Sequence, residues 1–412
     1  MGVYAVLLSM VIILLMVRKG IDVGLALLAG SAVLVITAPM DLELALQAIW
    51  TAVSSAETWE LIFVILFIGI LGYILEHSGA LELMVSKLLP LLGSSRLVLA
   101  AIPSLIGLLT VPGGAIISAP MVGQMGDKVE ISPEHKTGVN VVFRHIWYFI
   151  FPMMSAVIVT AQLAGITPES LVVFNIPTMA VGLLAAWVFM MRTVPKGAAG
   201  VNFSVANVGW FALSIMPIFV VLILYLALDV FFPLALVVGI LLALVNLPAG
   251  EGRLGSRMAT SFVSRGRKMI LPGISPMMIV VVFGVMVFKE ILSASSLVTT
   301  LAADMVAAGI PLWLMLTTLP FLVGLATGSH TAAVGVAIPI FLPLLTAESL
   351  LPGASLMFAS GTLGYMISPL HLCLVLSSKF FTAKLLPTYR YMLPVAATML
   401  AAAVLVSRMR GL

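Results

Sequence analysis

The chain has 412 residues, of which 62% are hydrophobic and only 9% are charged. A soluble domain carries about 25% charged residues, so this composition excludes an ordinary water-soluble globule. Continuous apolar runs also exclude a β-barrel, whose strands would alternate. The net charge of +4 is spread over short loops, which argues for membrane orientation signals and against nucleic-acid binding.

In chain order, spans are expected at 3–17 and 21–38, each close to the ~20 apolar residues that cross a bilayer. Residues 41–54 mix Leu42, Leu46, Ile49 and Trp50 with Asp41, Glu43 and Gln47, the pattern of a surface helix. A third span covers 58–76, and 77–96 reads as a loop. Residues 3–17 lack a preceding basic stretch and a small-residue cleavage site, so they are expected to be a span and not a signal peptide.

Residues 97–127 form two short apolar arms around Thr110-Val-Pro112-Gly113-Gly114. Pro and paired Gly favour a turn, and each arm is too short to span. A re-entrant hairpin is expected, with its tip enclosed by protein. A helix interrupted near Phe151-Pro152 follows at 137–165, then a span at 169–191. The second half repeats the order: spans at 208–229 and 230–247, a basic loop at 248–268, and a span at 271–291. A hairpin follows at 312–346 with its break at Thr327-Gly328-Ser329-His330-Thr331, then a helix at 355–382 interrupted at Ser368-Pro369, and a last span at 388–407.

The basic residues give an orientation. With both termini outside, Arg18, Lys19, Arg96, Lys128, Arg192, Arg257, Lys268 and Lys384 fall on the cytoplasmic side, against Lys289, Arg408 and Arg410 outside. The bias holds only if both hairpins return to the side they enter.

The halves also match at a constant offset of 217 residues. IPSLIGLLT at 102–110 aligns with LPFLVGLAT at 319–327, pairing Pro103 with Pro320, Gly107 with Gly324 and Thr110 with Thr327. Tyr148 and Pro152 fall on Tyr365 and Pro369. Each unit holds five spans and a hairpin. Five is odd, so the second unit enters from the opposite face. The expected fold is an all-α polytopic membrane protein of two inverted repeats, 1–200 and 201–412.

Such repeats bring hairpin tips and interrupted helices to the bilayer middle, where half-helix N-termini favour anions. The expected substrate site is therefore Thr110, Pro112, Gly113, Gly114, Thr327, Gly328, Ser329, His330, Thr331, Ser368 and Pro369, with Arg144, His145 and His371. Arg144 could grip a carboxylate with its planar fork or reach along the lipid to the surface. The histidines could meet substrate, carry a proton, or serve as hydrogen-bonded core. Asn140, Ser155, Ser360 and Thr362 are candidate neutral ligands for a coupling ion.

The acidic residues fall near span ends or in loops, which disfavours a carboxylate-based cation exchanger. Nucleotide-binding, zinc-protease and serine-hydrolase motifs are missing from the sequence. The single cysteine, Cys373, excludes an internal disulfide and a cluster of cysteine ligands.

The order span, span, span, re-entrant hairpin, interrupted helix, span, repeated inverted, resembles the ion transporter superfamily of gluconate, citrate, dicarboxylate and arsenite permeases and related sodium/proton antiporters. Within it the chain looks like an uncharacterised family of prokaryotic integral membrane proteins. The resemblance implies a homodimer in the inner membrane, with scaffold and transport domains and elevator-type movement. The dicarboxylate branch carries Ser-Asn-Thr at its hairpin tips. Here the matching positions read Thr110-Val-Pro-Gly-Gly and Thr327-Gly-Ser-His-Thr. The missing Asn and the deep histidines turn the expected coupling from Na⁺ toward H⁺. The expectation is secondary transport of a small organic anion with H⁺ or Na⁺, with no enzyme activity, no cofactor, and no metal beyond Na⁺. A cation/proton antiporter of the same fold is the alternative, and a membrane enzyme or a subunit of a larger complex is a third reading.

Overall fold

The computed structural model describes residues 2–38, 40–88, 91–108, 115–195, 204–245, 268–295 and 309–412. The described residues are helical, with no strand among them. Six helices are long and apolar enough to cross a membrane: Ala56–His77, Pro168–Met191, Val205–Leu226, Pro276–Ala294, Leu350–Phe381 and Leu385–Met409.

The first half opens with α1 (Gly2–Arg18), α2 (Val23–Thr37), α3 (Leu42–Ser54) and α4 (Ala56–His77). Asp22 accepts from the Gly24 N–H at the start of α2, and Ser55 caps α4 through the Thr58 N–H. α3 is the expected surface helix. It buries Ala45, Ala48 and Ala52 and exposes Leu42, Leu46 and Trp50. The expected loop at 77–96 contains a helix instead, α5 (Ala80–Leu88). Its nine residues are too few to span a membrane, so they escape a search for spans; it packs on the helix Val205–Leu226.

Two short helices follow, α6 (Ser95–Gly107) and α7 (Ala115–Lys128). At 1.5 Å per residue, their 13 and 14 residues reach only about 20 Å each, well short of a ~30 Å hydrocarbon core. The expected tip residues Thr110, Pro112, Gly113 and Gly114 lie outside the described residues, as do Arg253, Arg257, Arg265 and Arg267 of the basic loop.

The interrupted helix is α8 (Pro133–His145), a 3₁₀ turn at Ile146–Phe149, and α9 (Ser155–Ala164). It starts at 133 and not at 137. Ser132 accepts from the His135 N–H and Pro133 occupies the first turn; these polar start signals lie outside the apolar run. α10 (Pro168–Ala186) runs on into a π turn at Trp187–Met191.

The second half comprises α11 (Val205–Leu226), α12 (Phe232–Val245), α13 (Pro276–Ala294), α14 (Leu312–Thr327), α15 (His330–Phe341), α16 (Leu350–Ile367), α17 (Leu372–Phe381) and α18 (Leu385–Met409). α16 begins five residues before the expected 355, because Leu350 to Ala354 are themselves helical.

Helix starts recur at one spacing. α6, α8, α9 and α10 begin at 95, 133, 155 and 168; α14, α16, α17 and α18 begin at 312, 350, 372 and 385, each 217 residues later. The packing recurs too. α6 packs on α7 and α8 as α14 packs on α15 and α16, and α7 packs on α17 as α15 packs on α9. Gly107 lies so close to the Arg144 backbone that a Cβ would overlap it, and Gly324 lies as close to the Gly361 backbone. Those four positions are again pairs at 217.

Contacts between helix ends show which termini lie together. Arg96, at the start of α6, donates to the carbonyls of Val194 (2.8 Å) and Arg192 (3.1 Å) past the end of α10. His135, at the start of α8, bonds the Met190 carbonyl at 2.9 Å. Lys136 pairs with Asp127 at the end of α7. The start of α6 and the end of α7 are thus on one side of the molecule. In the second half, the Arg408 guanidinium stands over Trp313, the end of α18 reaches Glu348, and Leu345 packs on Gly353. That places the start of α14 and the end of α15 together as well.

Candidate functional site

The site grows from three chain breaks. α14 ends at Gly328, whose φ of +63° is a left-handed conformation suited to glycine. A Cβ there would lie 2.9 Å from the Leu370 backbone, so this turn presses directly on the break between α16 and α17. Thr327 Oγ1 donates to the Val323 carbonyl (2.7 Å) and accepts from the Ser329 N–H (3.2 Å). Ser329 Oγ accepts from the Ala332 N–H and caps α15. Ser368 Oγ donates to the Leu325 carbonyl at 2.6 Å and accepts from the Leu370 N–H at 3.1 Å. One hydroxyl therefore locks the α14–α15 turn to the α16–α17 break.

Into this junction project side chains from both halves. His145 closes α8 and His371 stands immediately before α17; their rings are 4.5 Å apart, edge to face. Tyr365 stands 4.1 Å from His371 and 4.7 Å from His330, and Tyr148 stands 4.6 Å from His145. Three histidines and the two tyrosines paired by the 217 offset form one aromatic cluster. His145 and His371 are fully buried, and His330 is half-buried with its Nδ1 enclosed and without a hydrogen-bond partner.

Arg144 lies beside the cluster, is 0% exposed, and donates to the Ile106 carbonyl at 3.0 Å. Its guanidinium lies beside Tyr148 and Cys373. Of the two sequence readings, reaching the surface is therefore excluded. The start of α7 arrives here as well. Asn140 Nδ2 donates to the Ala115 carbonyl (3.0 Å) and to Ser377 Oγ (2.8 Å), and Asn140 Oδ1 is buried without a partner.

The structure thus brings together Arg144, His145, Thr327, Gly328, Ser329, His330, Ser368 and His371. Thr331 is half-buried in the first turn of α15. Pro369 is exposed, because Ser368 turns inward and carries the packing while the ring faces out. The expected ion ligands do not form one group by hydrogen bonding. Asn140 belongs to the α7–α8–α17 contact, Ser155 opens α9, and the hydroxyls of Ser360 and Thr362 are buried in α16 without partners.

Sequence reasoning missed Tyr148, Tyr365, Cys373 and Ser377 as site residues. For the tyrosines the signal was present, since a polar aromatic recurs at the repeat offset. Cys373 and Ser377 carried none, because α17 reads as ordinary apolar helix.

A search of the curated proteins finds no significant match. The family model described as "Protein of unknown function (DUF401)" matches residues 1–409, almost the whole chain, and the protein belongs to that family.

Proposed function

We propose that the protein is a secondary active transporter of a small organic anion, a carboxylate, driven by H⁺ or Na⁺ through elevator-type alternating access. The observation that carries this reading is a fully buried arginine beside interrupted helices from both halves. A buried charge in a membrane protein is costly and belongs to function by default. Arg144 offers a planar donor fork to a carboxylate. The starts of α9, α15 and α17 add backbone N–H groups that helix geometry leaves unpaired.

The 217-residue recurrence of helix starts and of packing partners supports two inverted repeats. The clustering of the start of α6 with the end of α7, and of the start of α14 with the end of α15, supports two re-entrant hairpins. Repeat-built transporters place their substrate site at such junctions. In this reading the chain lies in the inner membrane with both termini outside, works as a homodimer, and has no enzyme activity.

Thermal unfolding of the purified protein against a panel of carboxylates, with Na⁺ and pH varied, tests the reading. A ligand at 100 times its Kd should stabilise the fold by about 2.7 kcal/mol. Stabilisation by one carboxylate, dependent on Na⁺ or pH, supports symport and identifies the coupling ion. A response to Na⁺ or pH alone favours a cation/proton antiporter. No response to any of them removes the proposal.

A further inference from the structure

We propose that His145, His371 and Cys373 form a binding site for a borderline or soft transition-metal cation of the Zn(II) class. One ligand atom from each of the three residues lies within 4.8 Å of the other two, and all three residues are buried. The inference stands on this geometry and does not need the anion reading.

The hydrogen bonds fix the tautomers. His145 Nδ1 is 2.6 Å from the Val141 carbonyl, and His371 Nδ1 is 3.2 Å from the Met366 carbonyl. A carbonyl only accepts, so both Nδ1 atoms carry the proton and both Nε2 atoms present a lone pair. Metal-ligating histidines are held in this way, with the second nitrogen donating to a carbonyl or carboxylate. Here the arrangement occurs twice in one cluster, on helices from different halves of the chain.

The two lone pairs are poorly used otherwise. His371 Nε2 is buried with no hydrogen-bond partner, and His145 Nε2 has only the Tyr365 hydroxyl at 3.4 Å. An unsatisfied buried acceptor is a net cost to the fold. Ordinary core packing leaves that cost in place, whereas a coordinated cation removes it.

Two imidazoles and a thiol select zinc-like or softer ions over Na⁺, Mg²⁺ or Ca²⁺, which prefer oxygen. With Zn–N near 2.0–2.1 Å and Zn–S near 2.3 Å, tetrahedral ligands stand about 3.5 Å apart. The site would close by roughly 1 Å on binding, within the reach of side-chain torsions. The Arg144 guanidinium lies beside Cys373. On binding, the thiol proton leaves to solvent as the metal–sulfur bond forms. The thiolate then offsets one of the two positive charges that the cation brings beside Arg144. Three protein ligands leave a fourth position open; if the anion reading holds, a substrate carboxylate oxygen is the natural occupant.

Cys373 is the only cysteine in the chain, so sulfur coordination can be read without ambiguity. The test is Co(II) titration of the purified full-length protein, followed by Zn(II) competition. The expected result is one equivalent of tetrahedral Co(II) with a thiolate-to-cobalt charge-transfer band, displaced by Zn(II). Cys373→Ser loses the band, and His371→Ala weakens binding at least about tenfold. Zinc-edge X-ray absorption on the wild-type protein, which needs no variant to fold, should show one sulfur and two imidazole nitrogens. Failure to bind one equivalent, or bound metal without a sulfur ligand, overturns the inference. Because these readouts do not involve transport, metal binding without carboxylate uptake would sink only the anion reading. Carboxylate uptake without metal binding would sink only this one.

Discussion

The interrupted stretch α16–α17 and the helix α11 are both long and apolar enough to cross a membrane, yet they occupy opposite environments. In α16–α17, 67% of the most apolar window is buried within the protein; in α11 the figure is 11%. The buried stretch is the more polar one, carrying Ser360, Thr362, Tyr365, Ser368 and His371. The peripheral one is mostly Val, Leu, Ile, Phe, Ala, Met and Trp, with Asn207, Ser214 and Tyr225 as its polar side chains. In water the more apolar helix would sit inside. In lipid the tails already satisfy apolar surface, so packing and polar contacts decide which helix is enclosed. The comparison teaches that hydropathy finds the spans here, while polarity within a span finds the centre.

The contrast is broken most severely at Arg144, which faces the same centre. Arg144→Ala is expected to reduce carboxylate uptake by at least about 10- to 100-fold, since a hydrogen bond to a charged group is worth about 1.5–3 kcal/mol. Arg144→Lys should recover little, because an ammonium lacks the planar fork. Initial uptake rates in proteoliposomes, normalised to folded protein, check both.

Glycines sharpen the contrast next. Gly324 has the Gly361 carbonyl and the Tyr365 N–H against it, whereas a Cβ on Gly209 in α11 would meet nothing within 4 Å. Gly324→Ala should therefore destabilise by about 1–3 kcal/mol through overpacking. Gly209→Ala should stabilise by about 0.5–1 kcal/mol by restricting the unfolded chain and favouring helix. Thermal unfolding in one detergent, comparing the two variants side by side, should move them in opposite directions.

Ser329→Ala removes the cap of α15 and should cost about 1 kcal/mol. It also loosens the turn against Leu370, so carboxylate affinity should fall along with the melting temperature. The smallest effect is expected far from the centre. Glu134 accepts a hydrogen bond from its own backbone N–H and one from the Lys384 N–H at 3.3 Å, which together hold its carboxyl below the ordinary 4.5. The folded value lies below the unfolded one, so this stabilisation is full above pH 4.5 and disappears as pH falls through the folded value. Glu134→Gln should flatten the acid limb of a stability-versus-pH curve by a barely measurable amount.

Much of the fold was legible because its signals are local. Gly328, Ser368-Pro369 and the Pro152 turn mark breaks that the structure places where the sequence expects them, and the repeat offset reappears in the helix starts. α5 escaped because nine residues in a polar setting resemble a loop. α8 was cut short because Ser132 and Pro133, not apolar residues, start it. In the site, Arg144, His145, His330 and His371 stood out as ionisable residues in apolar runs. Their meeting did not, since His145 and His371 are brought together only by packing between the halves. Cys373 entered through that same packing, at the second residue of a helix whose own sequence says nothing of its neighbours. Pro369 shows the opposite error: a break residue can shape the site while facing away from it.

The central claim is that the junction around Arg144 moves a carboxylate across the membrane. The direct measurement is uptake of radiolabelled carboxylates by proteoliposomes holding the purified protein, under imposed Na⁺ or pH gradients, with Arg144→Ala in parallel. The account predicts concentrative uptake of one carboxylate, dependent on one of the two gradients and lost in Arg144→Ala. Uptake no greater than in empty liposomes for every carboxylate and gradient, or uptake unchanged in Arg144→Ala, would contradict it.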